Sequence, residues 1–146
     1  MKRLLPILLL AGCAQAPAPA PAPEPPPVTE TPIQPAPQEN IAIAGQLQSA
    51  RSDSAAGRLT NAAATLERAL RIEPRNPRLW QELARVRLKQ GEYAQAESVA
   101  SRSNSFAGSD GALRAENWRL IAQAREARGD PAGARAAEET AAKLGR

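Results

Sequence analysis

Residues 77–110, PRLWQELARVRLKQGEYAQAESVASRSNSFAGSD, decide how the rest of the chain is read. Leu79, Leu83, Val86 and Leu88 recur at helical spacing, with charged residues between them. Asn76 stands before Pro77, an N-cap residue followed by the residue best suited to the first helical position. Gly91 then interrupts the pattern where a left-handed turn would close one helix and open the next. The stretch therefore reads as two helices joined by a tight turn, and it has copies. Gly57 and Gly91, Leu59 and Tyr93, and Ala62 and Ala96 are each 34 apart. Gly91 and Gly129, Ala96 and Ala134, and Trp80 and Trp118 are each 38 apart. One unit recurs, and its last step is longer by four. Four residues make about one helical turn, so the addition lengthens a helix while its buried face stays nearly in phase.

These residues resemble the tetratricopeptide repeat. In the copy at 77–110, Trp80, Leu83, Ala84, Gly91, Tyr93 and Ala96 fall on the family's positions. Arg87 stands where an aromatic is usual, and Gly108 where Pro is usual. The copy at 43–76 offers Gly57, Leu59, Ala62, Leu66, Ala69 and Pro74, with Gln46 in place of the Trp. The copy at 115–146 offers Trp118, Ile121, Ala122, Gly129, Ala134 and Ala141, with Pro131 at the aromatic position. The resemblance implies an all-α domain over residues 41–146: three tetratricopeptide helix pairs stacked as a short right-handed solenoid. Three repeats are about the fewest that bury a continuous core. The last helix, 131–144, would cap the stack and present Arg135, Glu138, Glu139 and Lys143 to water. Trp80 and Trp118 are expected to pack between helices, and Phe106 to turn inward.

The first 40 residues are of another kind. Met1-Lys2-Arg3 is a basic start, and Leu4 to Ala11 is an apolar run interrupted only by Pro6. The run is too short for a membrane-spanning helix, which needs about 20 residues, and it fits a secretory signal instead. It ends Leu10-Ala11-Gly12-Cys13, which resembles the lipobox of bacterial lipoproteins. The resemblance implies a signal peptide over residues 1–12 and a lipidated Cys13 as the mature N-terminus, anchored to a membrane by its acyl chains. Ala14, where an Asp would favour inner-membrane retention, points to the outer membrane of a Gram-negative cell with the domain facing the periplasm. Residues 13–40 then form a disordered Pro-rich linker, in which Pro recurs ten times from Pro17 to Pro37. Pro and its effect on the preceding residue favour extended polyproline geometry, which builds no core. At ~3.1 Å per residue, a fully extended segment of this length reaches on the order of 80 Å. The linker reads as a spacer, or less simply as a proline ligand for a partner groove.

Composition removes most chemistry. The 146 residues hold no His and one Cys, so Ser–His and Cys–His catalysis, His-bearing metal sites and an internal disulfide are all excluded. No Gly-rich phosphate loop follows a strand, and no cofactor, metal or small-molecule substrate is expected. The remaining signal is charge. Residues 41–146 carry 17 Lys plus Arg against 12 Asp plus Glu, a net +5. In tetratricopeptide domains the first helix of each pair lines a concave groove. Mapped by repeat position, that groove would hold Arg51, Arg78, Gln81, Arg85, Lys89, Arg119 and Gln123. It reads either as a solvated Arg-rich face or as a groove for an acidic partner segment, with Arg giving forked hydrogen bonds. Nucleic acid is not an expected partner of an exported, anchored domain, despite a pI near 10.0.

Anchor, long tether and small repeat domain, in that order, resemble the lipoprotein activators of class A penicillin-binding proteins. The resemblance implies an outer-membrane-anchored lipoprotein, not an enzyme, that binds the periplasmic domain of a bifunctional synthase and activates peptidoglycan synthesis. The alternative is an assembly factor or pilot lipoprotein for a secretin, a type IV pilus or the outer-membrane protein machinery. A scaffold with several weak partners is a third reading.

Overall fold

The computed structural model describes residues 41–145. The predicted signal peptide, Cys13 and the Pro-rich linker lie outside the described residues. Six helices follow one another: α1 (Ile41–Ala55), α2 (Leu59–Ile72), α3 (Pro77–Lys89), α4 (Tyr93–Phe106), α5 (Gly111–Ala127) and α6 (Pro131–Leu144). The short connections between them force consecutive helices to run antiparallel.

Local chemistry sets the ends. The Asn76 side-chain oxygen accepts from the backbone N–H of Arg78 at 3.0 Å and of Leu79 at 3.4 Å, and Pro77 follows it at the first helical position. Asp110 and Asp130 cap α5 and α6 in the same way, through Leu113 N–H at 2.9 Å and Gly133 N–H at 2.8 Å. The turn inside each pair has one geometry. Gly57, Gly91 and Gly129 take φ of 76°, 78° and 78°. The N–H of the residue after each glycine then reaches back into the helix just ended: Arg58 to Asp53 O, Glu92 to Arg87 O, and Asp130 to Arg125 O, at 2.8–2.9 Å. A side chain at Gly129 would meet nothing within 4 Å, so the penalty of replacing it is purely conformational. Gly129→Ala should cost about 1–2 kcal/mol for the left-handed backbone, measured as a lowered thermal midpoint at unchanged helix content.

The added turn lies in α5. Its start at Gly111 keeps the basic repeat spacing from the start of α3 at Pro77, but it runs on to Ala127, giving 17 residues against 13. The third pair therefore starts at Gly111, one helical turn before the boundary at 115 inferred from the spacing of Trp80 and Trp118.

The helix pairs stack in order, α2 on α3 and α4 on α5. The first helices also approach directly, α1 with α3 and α3 with α5, whereas the backbones of α2, α4 and α6 stay farther from one another. The layer of first helices is thus the tighter one and forms the inner, concave side. Ile43, Leu47, Leu66, Leu70, Leu79, Leu83 and Val86 build one end of the core. Leu120 and Ile121 among Ala84, Ala100, Ala122, Ala134 and Ala137 build the other, and Val99 packs against both. Ala62 and Ala96 are fully buried where paired helices cross, and Ala134 nearly so. Arg135, Glu138, Glu139 and Lys143 are exposed on α6, as expected of a capping helix.

Trp80 and Trp118 depart from the expectation of burial between helices. Both are half-buried and lean on the core from its margin. Phe106 is also half-buried, with arginines above its ring. Trp80 is held at this margin by its Nε1–H, which donates to the Pro74 carbonyl at 2.8 Å.

Candidate functional site: the concave groove

The inner surface of α1, α3 and α5 forms a groove of about 470 Å³. Leu88 and Leu120 give it an apolar floor between polar walls. Of the residues placed there by repeat position, Arg51, Arg85, Lys89 and Gln123 line it. Arg119 sits just outside, on the rim, paired with Glu116 of the groove wall. Arg78 is exposed at the start of α3, away from the groove.

Gln81 is not presented to a partner. It is 8% exposed, and its amide N–H₂ donates to Asn117 Oδ1 at 3.1 Å and lies 3.5 Å from the Leu113 carbonyl. The next first helix closes over this position: Asn117 and the Leu113 carbonyl of α5 meet the Gln81 amide, and Leu47, the counterpart of Gln81 in the first pair, is buried in the same way under α3. Asn117 continues the network, donating to Ser103 Oγ at 2.7 Å and to Asn104 Oδ1 at 3.0 Å. Ser103 Oγ in turn donates to the Pro77 carbonyl at 2.8 Å. Three helices are tied by buried polar groups that all find partners, as buried polar groups must.

The groove's charge also differs from a plain basic strip. Glu82, at a position not assigned to the groove, reaches into it and is only 6% exposed. It accepts from Arg51 at 2.8 Å and from Arg85 at 3.2 Å. Arg85 also reaches Glu116 at 3.1 Å, and Glu116 takes Arg119 at 3.0 Å. Arg51, Glu82, Arg85, Glu116 and Arg119 therefore form one alternating ladder across α1, α3 and α5. Lys89 donates to Ser54 Oγ at 2.9 Å. Every cation of the groove is engaged within the chain, so the ladder positions the first helices as much as it offers charge to a partner. Such half-exposed pairs add little stability singly, but a network of them fixes geometry.

A second set of ion pairs explains the Arg found where this repeat usually has an aromatic. Arg87 of α3 reaches back to Glu67 on α2 and forward to Glu92 at 2.9 Å. Arg125, the equivalent residue of α5, reaches Glu97 on α4 at 2.6 Å and lies 3.3 Å from the Gly133 carbonyl. Each clamps its own repeat to the one before it. The described residues hold no cluster of three His, Cys, Asp or Glu side chains placed to bind a metal.

Comparison with known proteins agrees with this architecture. The tetratricopeptide-repeat family matches residues 54–115. No curated protein matches the sequence. Among solved structures, the globular C-terminal domain of P. aeruginosa LpoP is similar, with 50% sequence identity and a TM-score of 0.67. The match covers 68% of this chain and 93% of that domain. Such repeats are a protein-interaction fold, built to offer extended concave surfaces and not a catalytic centre. With half of its matched residues identical over 93% of that domain, the chain belongs to the LpoP-like family of tetratricopeptide-repeat proteins.

Proposed function

We propose that this chain is an outer-membrane lipoprotein that binds and activates a bifunctional class A penicillin-binding protein, acting in peptidoglycan synthesis. The observation that carries the reading is the 50% identity to the LpoP domain over nearly all of that domain's length. In this reading residues 1–12 are a cleaved signal, Cys13 carries the acyl anchor, and residues 14–40 span from membrane to synthase. None of the described helices is long and apolar enough to cross a membrane. The tether holds the domain at high local concentration near its target. Activation is then a matter of binding one synthase conformation better than another, with no chemistry by the activator.

The concave groove is one docking face for the synthase. Leu88 and Leu120 offer apolar contact, while Gln123 and the outer edges of Arg51, Arg85 and Lys89 offer donors. The test is glycan polymerisation by a purified class A synthase with and without the full chain. Stimulation is expected, and Arg85→Glu should reduce it at least fivefold, since reversal places three carboxylates together at the centre of the ladder. Stimulation unchanged by Arg85→Glu would remove the groove assignment, and no stimulation of any class A synthase would remove the function. Deleting residues 17–37 should abolish function in cells and spare it in solution, whereas a pilot lipoprotein working within its own membrane would tolerate the deletion in cells.

A further inference from the structure

Antiparallel stacking brings the C-terminal ends of α2 and α4 and the N-terminal ends of α3 and α5 to one edge of the domain. Arg71, Arg75, Arg78, Arg102 and Arg114 lie along this edge. Among the described residues none of the five has an ion pair, in contrast to every arginine of the groove. The edge's own carboxylates are occupied: Glu73 accepts from Asn76 Nδ2 at 2.8 Å, and Asp110 caps α5. The arginines are thus without ion pairs here, whereas each arginine of the groove has a carboxylate partner.

Two of these arginines are pre-set. The Arg102 guanidinium lies 5.1 Å from the Trp80 ring centre and 6.0 Å from that of Phe106, and Arg75 lies 5.9 Å from Phe106. The indole is itself pinned, its Nε1–H donating to the Pro74 carbonyl at 2.8 Å. A cation–π contact at this range holds a guanidinium near the ring and leaves N–H groups to meet a carboxylate in a forked pair. Ile72, 58% exposed, adds apolar surface at the C-terminal end of α2 on the same edge. Trp and Arg are the residues that most often dominate the energetics of protein interfaces.

We propose that this edge is a second docking surface, separate from the concave groove, and that it takes an acidic protein segment. Carboxylates of the segment pair with Arg75 and Arg102, and its apolar groups cover Trp80, Phe106 and Ile72. Charge complementarity is the argument for the occupant: five unpaired guanidiniums select an anionic partner, and the aromatic ground between them suits a polypeptide better than a sheet of headgroups. The proposal rests on the protein-binding character of the fold and not on the identity of the synthase.

The test uses the full chain in detergent and a fluorescein-labelled (Glu-Pro)₅ peptide, extended and acidic, read by anisotropy at about 0.15 M salt, where charges more than about 8 Å apart are largely screened. Binding is expected, and the uncharged (Gln-Pro)₅ peptide should bind at least tenfold more weakly. Arg75→Glu with Arg102→Glu should weaken the acidic peptide at least tenfold, and Arg102→Lys about threefold, because charge remains but the forked hydrogen-bond geometry is lost. Arg51→Glu with Lys89→Glu should change binding less than twofold. Helix content by circular dichroism is expected to match the parent in each case. The proposal is overturned if the peptide does not bind, or if the groove variant loses as much as the edge variant. It is also overturned if phosphatidylglycerol vesicles, and not the peptide, bind in an Arg102-dependent way, which would make the edge a membrane contact. Peptide binding at the edge without stimulation of a synthase would leave this surface standing and remove the proposed function alone.

Discussion

Asn117→Ala should destabilise the domain by about 3 kcal/mol, an unusually large loss for a polar residue. The side chain is fully buried and joins α5 to both helices of the preceding pair. Truncation leaves the Gln81 amide with only its long approach to the Leu113 carbonyl and removes a donor from both Ser103 and Asn104. Each buried group left unpaired costs about 1–3 kcal/mol, and a small cavity is added. For a domain of this size the thermal midpoint should fall by roughly 10–20 °C. Gln81→Ala should cost less, because Asn117 keeps its bonds to α4. The double variant should cost less than the two singles together, by about 1 kcal/mol, since both remove the same contact. A loss below about 1 kcal/mol for Asn117→Ala would show that water replaces the amide, and that the repeats are joined by apolar packing alone.

Leu79→Ala is expected to cost about 2–5 kcal/mol, the range for emptying a closed leucine site. Leu79 is fully buried in the cluster formed by α1, α2 and α3. The effect should be global. Three helix pairs are about the fewest that bury a continuous core, so losing the seam between the first two leaves too few for a stable fragment. Urea unfolding should show one transition with a lowered midpoint and an unchanged slope. A broadened or two-step transition would indicate instead that the α5–α6 end stands by itself. Leu88→Ala, at the half-exposed floor of the groove, should cost only about 1 kcal/mol on the same measurement, because less apolar surface is buried there.

Asn117 and Leu79 mark the division between what could be read and what could not. Leu79 belongs to a local pattern: its spacing from Leu83 and Val86 declares a helix face, and any partner helix will bury it. The turns are equally local. Gly57, Gly91 and Gly129 announce left-handed turns because backbone sterics act within a few residues, and Asn76-Pro77 and Asp130-Pro131 announce helix starts for the same reason. The repeat period follows from such signals, and with it the six helices, their order and their pairing. The presence of an added helical turn was legible as well, though not its place. The wider spacing of Trp80 and Trp118 is compatible with an insertion anywhere between α4 and α5, and only the tertiary structure puts it in the first turn of α5.

Long-range packing decides the rest. By setting Asn117 against Gln81 and Ser103 it turns a residue expected on the inner face into a core hydrogen-bond donor and makes a buried network whose members are far apart in sequence. Glu82 is in the same position. Nothing in its neighbourhood along the chain says that Arg51, on another helix, will meet it. The sequence alone determined the fold class, the net charge and the absence of His chemistry, because these depend on composition and on contacts between near neighbours. Which arginines are paired within the chain and which stand free was decided only by the tertiary structure, because a salt bridge depends on distances of a few ångströms that long-range packing alone sets.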